Sequence, residues 1–164
     1  MNCEMKKVIL VDDDATLRIG MKTLVDWRQH GYLWAGEAKD GAQALELIHD
    51  CQPDIVITDM KMPGMDGIAL IREIRKQTPA PYIIALSSYD DFPLVREAMK
   101  LGAADYLLKL ELTPAALLQS LSKAPLLHDA IDSQEIEREI QQEKALRDLI
   151  CRFYLDEAEI GTRL

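Results

Sequence analysis

With 164 residues, 48% of them apolar and 29% charged, the chain is long enough for one ordinary domain plus an appendage, and apolar enough to bury a core. No apolar run approaches the roughly 20 residues that cross a bilayer, and Met1-Asn2-Cys3-Glu4 lacks the basic start and apolar stretch of a signal peptide, so no membrane association is expected. The net charge of −9 argues against a nucleic-acid surface on this chain itself.

Strand-like and helix-like segments alternate along the chain. Lys7-Val-Ile-Leu-Val11 is a short apolar run closed by Asp12-Asp13-Asp14. Helical spacing predicts a helix over about 15–29, with Leu17, Met21, Leu24 and Val25 on one face and Asp14 as its N-cap. Residues 32–38 read as a strand, and Asp40-Gly41 opens a helix through Ala44, Leu45, Leu47 and Ile48. Residues 55–58 form a third strand, and a helix from about Asp66 carries Ile68, Leu70, Ile71 and Ile74. Tyr82-Ile-Ile-Ala-Leu86 is the fourth strand, followed from Ser87 to Asp91 by the start of a helix that Gly102 ends. Ala104-Asp-Tyr-Leu-Leu108 is the fifth strand, and Thr113-Pro114 starts a last helix, with Pro suited to the first helical position. Five strands alternating with five helices predict a doubly wound α/β fold, a parallel sheet covered on both faces. Strands covered on both sides read as continuous apolar runs, as 8–11, 55–57 and 83–86 do. The length favours the flavodoxin-like strand order 2-1-3-4-5.

The pattern changes near Ala124-Pro125. Residues 132–157 are rich in Glu, Gln, Arg and Lys and free of Pro and Gly, which predicts a helical extension. Its apolar positions (Ile136, Ile140, Leu146, Leu149, Ile150, Phe153) make a narrow stripe, open both to a solvated helix and to one that pairs with a second copy. Residues 1–124 carry 18 acids against 14 bases, net −4, and residues 125–164 carry 10 against 5, net −5. Cys3, Cys51 and Cys151 are odd in number and scattered, which fits a reducing cytosol better than a disulfide framework or a zinc cluster.

The chemistry gathers where the strands end. In an open α/β sheet ligands bind beyond the carboxyl ends of strands, where the winding reverses, and in order 2-1-3-4-5 that crevice lies between strands 1 and 3. Strand 1 ends at Asp12-Asp13 and strand 3 at Asp59. Three converging carboxylates repel one another and raise their own pKa values, and a hard divalent cation with oxygen ligands, Mg²⁺, relieves this. Strand 4 ends in the hydroxyl of Ser87 and strand 5 in the cation Lys109. Carboxylates, a metal, a hydroxyl and an ammonium in one crevice suit phosphoryl transfer, with an aspartate as covalent acceptor. Taken singly, each residue has a plainer role: an Asp after a strand is usually a cap or turn former, Ser87 a cap, Lys109 a solvated surface group. Asp66, Asp90 and Asp91 are assigned to capping and turns.

At Val11-Asp12-Asp13-Asp14, Asp59-Met-Lys-Met-Pro-Gly-Met-Asp-Gly67, Ser87-Ser-Tyr-Asp-Asp91 and Tyr106-Leu-Leu-Lys109 the chain resembles a response-regulator receiver domain of two-component signalling. The resemblance covers residues 6 to about 123. It implies a receiver domain over 1–124 and, over 125–164, a helical linker or dimerisation helix leading to an absent DNA-binding domain. Asp26-Trp27, Trp34-Ala-Gly-Glu-Ala38 and Ser87–Phe92 further resemble receivers attached to AraC-type DNA-binding domains. The resemblance implies Asp59 as phosphoacceptor from a sensor histidine kinase. It also implies Mg²⁺ held by Asp12, Asp13, Asp59 and the Lys61 backbone carbonyl, and phosphoryl contacts from Ser87 and Lys109. Ser87 and Tyr106 would then switch the face built of helix 4, strand 5 and helix 5, with homodimerisation and transcription regulation as output. This is a cytoplasmic signalling role and not that of an enzyme.

One position departs from the family. Pro usually follows the lysine, often after a cis bond, and here Leu110 follows. A cis bond costs about 2.5–4 kcal/mol before a non-proline residue, so a trans Lys109–Leu110 bond is expected, and a trans bond could displace the ammonium and weaken phosphoryl contact. That departure sustains an alternative, a receiver-like interaction module that works without phosphorylation. A haloacid-dehalogenase-type phosphatase needs a second acid two residues after the nucleophile, where this chain has Lys61, and no GxxxxGK or GxGxxG loop follows any strand.

Overall fold

The computed structural model describes residues 4–126 and 138–148. In chain order the elements are β1 (Lys6–Val11), α1 (Ala15–Leu24), β2 (Tyr32–Ala38), α2 (Gly41–Cys51), β3 (Ile55–Asp59), α3 (Gly67–Arg75), β4 (Tyr82–Ser87), α4 (Phe92–Leu101), β5 (Asp105–Leu108) and α5 (Pro114–Ser122), with 3-10 turns at Tyr89–Asp91 and Lys109–Glu111. The strands form one parallel sheet in the order β2-β1-β3-β4-β5, as expected.

Successive residues of a strand point to opposite faces of the sheet, so each strand feeds two cores. Ile9, Val11, Val56, Ile83 and Ala85 face α2, α3 and α4, where they meet Ala44, Ile48, Leu70, Ile71, Ile74 and Ala98. Val8, Leu10, Ile55, Ile57, Ile84 and Leu86 face α1 and α5, where they meet Met21, Leu117 and Leu121. The two central strands are the best covered: every residue of β3 is buried, as are the last four of β1. β5 lies at the margin, has four residues, and buries none of them fully.

The helix expected over 15–29 ends at Leu24, and Val25 is extended. The Trp27 ring accounts for the difference. It is buried, donates Nε1–H to the Lys22 carbonyl at 3.1 Å, and meets Tyr32 edge-on, with ring centroids 6.5 Å apart. A satisfied terminal carbonyl and a buried indole outweigh the small gain from one more helical turn. The helix starts follow the expectation: Asp14, Asp40, Asp66 and Thr113 each accept a backbone amide of the first turn. Before α4 the chain first makes a 3-10 turn, with Ser88 in the cap position of that turn.

The C-terminal end of α5 is tied to β5. Asp105 accepts Ser120 Oγ–H at 2.7 Å and Lys123 Nζ–H at 3.3 Å, and Lys6 Nζ donates to the Ala124 carbonyl. Burial alone would raise the Asp105 pKa, but the Ser120 hydroxyl, the Tyr106 amide and Lys123 outweigh it and hold the carboxyl below its ordinary range. A depressed carboxylate stabilises the fold above its unfolded pKa of about 3.9, and the contribution disappears as pH falls through the lower folded value. Asp105→Asn is therefore expected to lose about 1 kcal/mol at neutral pH. Its unfolding free energy should also fall less steeply with acid than that of the wild type, as urea titrations between pH 3 and 7 would show.

Residues 1–127 and 128–164 are separate compact units. In the second, residues 138–148 are helical, with Ile140 and Leu146 exposed. The remainder of the expected 132–157 helix, including Ile136, Leu149, Ile150 and Phe153, lies outside the described residues, as do Cys3 and Cys151. Cys51 is a free thiol. No helix among the described residues is long and apolar enough to cross a membrane.

Candidate functional site

The site stands at the carboxyl ends of β1, β3, β4 and β5. Asp12 follows β1 and is fully buried, Asp59 is the last residue of β3 and is 4% exposed, and Asp13 is exposed. One oxygen from each of the three lies within 4.8 Å of the others. Lys109 Nζ reaches into the group, 2.9 Å from Asp12 Oδ2 and 3.1 Å from Asp59 Oδ2. Asp14 takes the capping role at α1, which leaves Asp13 free of it.

The backbone fixes each acid. Asp12 Oδ1 accepts the Asp14 amide at 2.9 Å, and Arg18 Nη1 donates to the Asp12 carbonyl at 2.6 Å. Asp59 Oδ1 accepts the Met60 amide at 2.8 Å. Behind Asp59 the chain doubles back so closely that Gly67 admits no side chain, since a Cβ there would lie 2.2 Å from the Asp59 carbonyl oxygen. Gly67→Ala is therefore expected to cost about 3 kcal/mol in a denaturant melt, because the atom in the way is backbone and the loop after Asp59 must move.

Burial and the Asp12 charge push the Asp59 carboxyl up, and Lys109 only partly offsets them. Burial disfavours the charge on Lys109, but Asp12 and Asp59 outweigh it and hold the ammonium above the ordinary lysine range. Ser87, at the end of β4, is fully buried, and its Oγ has no hydrogen-bond partner. A buried hydroxyl without a partner is uncommon and calls for an explanation. Ser88, and not Ser87, occupies the cap position, so local structure does not use the Ser87 hydroxyl. The Tyr106 side chain is exposed on β5.

The donor set at Asp12, Asp13 and Asp59 is all carboxylate oxygen, and Asp12 Oδ2 is buried with no hydrogen bond, only the Lys109 ion pair. Such a set fits a small, hard divalent cation. Beside it a cleft of about 370 Å³ is lined by Asp13, Met60, Lys61, Met62, Pro63 and Leu94.

At two points the structure adds to the sequence-based expectation. Thr78–Pro79 is the cis peptide among the described residues, so Lys109–Leu110 is trans, yet the ammonium is not displaced. The 3-10 turn at Lys109–Glu111 absorbs the change of direction and leaves Leu110 pointing to solvent. Asp91, assigned to capping and turns, accepts the Ser88 amide at 3.0 Å and also pairs with the Lys61 ammonium. Thirty positions separate these partners, and no periodicity or turn motif signals such a pair.

The chain matches the family model of the response regulator receiver domain over residues 8–122 and belongs to that family. Receiver domains are signalling modules that bind Mg²⁺ at an acidic pocket. The chain is 43% identical over 105 residues to the uncharacterized transcriptional regulatory protein YesN of Bacillus subtilis, covering 64% of this chain and 28% of that protein. It is 39% identical over 118 residues to the chemotaxis protein CheY of Thermotoga maritima, covering 72% of this chain and 96% of that protein. Among solved structures it resembles the receiver domain of AraT, a response regulator from Geobacillus stearothermophilus (TM-score 0.64, 32% identity, 82% of this chain and 98% of that one). It also resembles a two-component transcriptional regulator AraC from Clostridium phytofermentans (TM-score 0.67, 26% identity, 79% and 98%). The chain spans 28% of the length of YesN and 41% of a Staphylococcus epidermidis response regulatory protein.

Proposed function

We propose that this chain is the phosphoacceptor receiver of a transcriptional response regulator, with a sensor histidine kinase as donor and Asp59 as acceptor. An Asp59 carboxylate oxygen attacks phosphorus, the P–N bond of the donor phosphohistidine breaks, and the imidazole leaves with its electron pair and takes up a proton. The product is an acyl phosphate on Asp59. Lys109 and the Ser87 hydroxyl receive the phosphoryl oxygens. Asp12, Asp13, Asp59 and the Lys61 backbone carbonyl would hold Mg²⁺, which when bound neutralises charge on the transferring group.

The observation that carries this reading is the Lys109 ammonium set between two buried acids, beside a strand end whose buried hydroxyl has no partner. Both groups are donors without a complete set of acceptors, and a phosphoryl group on Asp59 supplies the missing oxygens. Ser87 then moves inward, the exposed Tyr106 ring follows, and the α4–β5–α5 face changes. That face already exposes Phe92, Met99, Tyr106 and Leu110, which suits homodimerisation on activation, with the 132–157 segment as a second surface for it. A DNA-binding domain beyond the 125–164 linker would supply the contact with DNA that this acidic chain lacks, and the whole would act in the cytoplasm. The phosphorylation-independent alternative drew on the Leu110 departure, and with Lys109 Nζ 2.9 Å from Asp12 and 3.1 Å from Asp59 that departure does not take the ammonium out of the crevice. Incubation with acetyl phosphate and Mg²⁺ should add one phosphoryl mass, labile to hydroxylamine and located at Asp59 by peptide mapping. No mass gain would refute the reading.

A further inference from the structure

We propose that the Lys61–Asp91 ion pair is a latch that ties the loop after Asp59 to the loop after Ser87 and holds the crevice in its resting arrangement. The Asp91 side chain is 2% exposed and that of Lys61 is 62% exposed; Asp91 Oδ1 has the Lys61 ion pair and no hydrogen bond, and Oδ2 accepts the Ser88 amide at 3.0 Å. Lys61 lies two residues beyond Asp59, and Ser88 adjoins Ser87. A single buried carboxylate therefore spans the two loops that carry the acceptor and the hydroxyl.

A carboxylate buried this far is held by its partners and not by water, and separating it from its cation leaves an uncompensated charge. The pair thus persists only while the two loops keep their present spacing. In that arrangement Ser87 Oγ has no partner and Tyr106 is exposed, so the latched state is the one in which the hydroxyl has not been drawn toward Asp59. Whatever pulls Ser87 inward must do so against the latch, and the latch thereby sets how much ligand the transition needs. The inference rests on the proposed function for the identity of that ligand and for the inward movement of Ser87. The latch itself belongs to the chain without phosphate.

The test uses the full chain, free of Mg²⁺ and phosphodonor, and follows amide hydrogen exchange over residues 87–92. Asp91→Asn keeps an acceptor for the Ser88 amide and removes the charge, and Lys61→Met removes the cation. Each is expected to speed exchange there about tenfold, the double variant no more than either single one, and Lys61→Arg to restore the wild-type rate. Unchanged exchange in both single variants, effects that add in the double variant, or no rescue by arginine overturns the latch. So does equal acceleration of β1 and β3 amides, which would mean global destabilisation. In a second arm, with beryllofluoride and Mg²⁺, Asp91→Asn should reach half-saturation at about one-tenth of the wild-type beryllofluoride concentration, and an equal or higher requirement overturns the proposal. If neither protein takes up beryllofluoride, the phosphoacceptor reading falls, and the exchange arm alone decides the latch.

Discussion

Asp59→Asn is expected to abolish the acetyl-phosphate-dependent mass gain while making the metal-free protein more stable. The amide has no oxygen nucleophilic enough to accept phosphorus, so labelling falls to background. The stability change follows from the balance at the site. Asp59 is buried beside the Asp12 charge, and Lys109 does not fully offset the two, so its carboxyl is pushed up. An acid whose folded pKa is raised loses stability as pH climbs from the unfolded value through the folded one. At neutral pH the ionised Asp59 therefore weighs against the fold, and an isosteric neutral group should recover about 1 kcal/mol. For a domain of this size that is a rise in melting temperature of about 3–5 °C. Calorimetry in EDTA, paired with mass spectrometry, checks both halves. A variant that loses labelling and stability together would mean that the residue supports the fold and not the chemistry.

The opposite change in stability is expected for Lys109→Met. This substitution keeps the apolar stem and removes the cation that lies 2.9 Å from Asp12 and 3.1 Å from Asp59. Two buried carboxylates are then left facing each other, with Asp13 nearby. Removing one partner of a buried ion pair costs about 3–5 kcal/mol, and the partial exposure of Lys109 places the expected loss near about 3 kcal/mol. Millimolar Mg²⁺ should return much of that loss, and should raise the melting temperature of the variant more than that of the wild type, because binding to the folded state alone adds stability. Labelling should fall by roughly 10²–10³-fold even with metal present, since one preorganised cation at the transferring group is missing. Melting curves with and without Mg²⁺ read the first effect and time courses of labelling the second. If added Mg²⁺ stabilised variant and wild type equally, the acids would not be acting as one site.

Both predictions concern residues that could be read directly from the sequence, for a physical reason. A central strand of a parallel sheet is covered on both faces, so Ile55 to Thr58 is a continuous apolar run, and an acid at its end stands out. The same argument marks Asp12 after β1 and Ser87 after β4. Strand order followed from the alternation of elements and the chain length. The parts that could not be read depend on tertiary geometry. Trp27 ends α1 early because an indole finds a burial site against Tyr32 and Trp34, and local propensity says nothing about that. The choice of Ser88 over Ser87 for the cap position is a matter of one residue of register. Lys109 reaches the acids in spite of Leu110 because a short turn redirects the chain, and its energetics are invisible in a one-residue substitution pattern. The Lys61–Asp91 pair joins two loops that meet only once the sheet has formed.

The margin strand has a consequence for how a signal would leave this molecule. The two acids nearest Lys109 are seated at the ends of the most deeply packed strands, whereas Tyr106 lies within, and Lys109 directly after, a four-residue strand with a neighbour on one side only. Rigidity and pliancy are thus sorted by position: a fixed anvil in the middle, a compliant reed along one border. On the proposed reading, a pull at the centre would meet its least resistance along that border, where packing is thinnest.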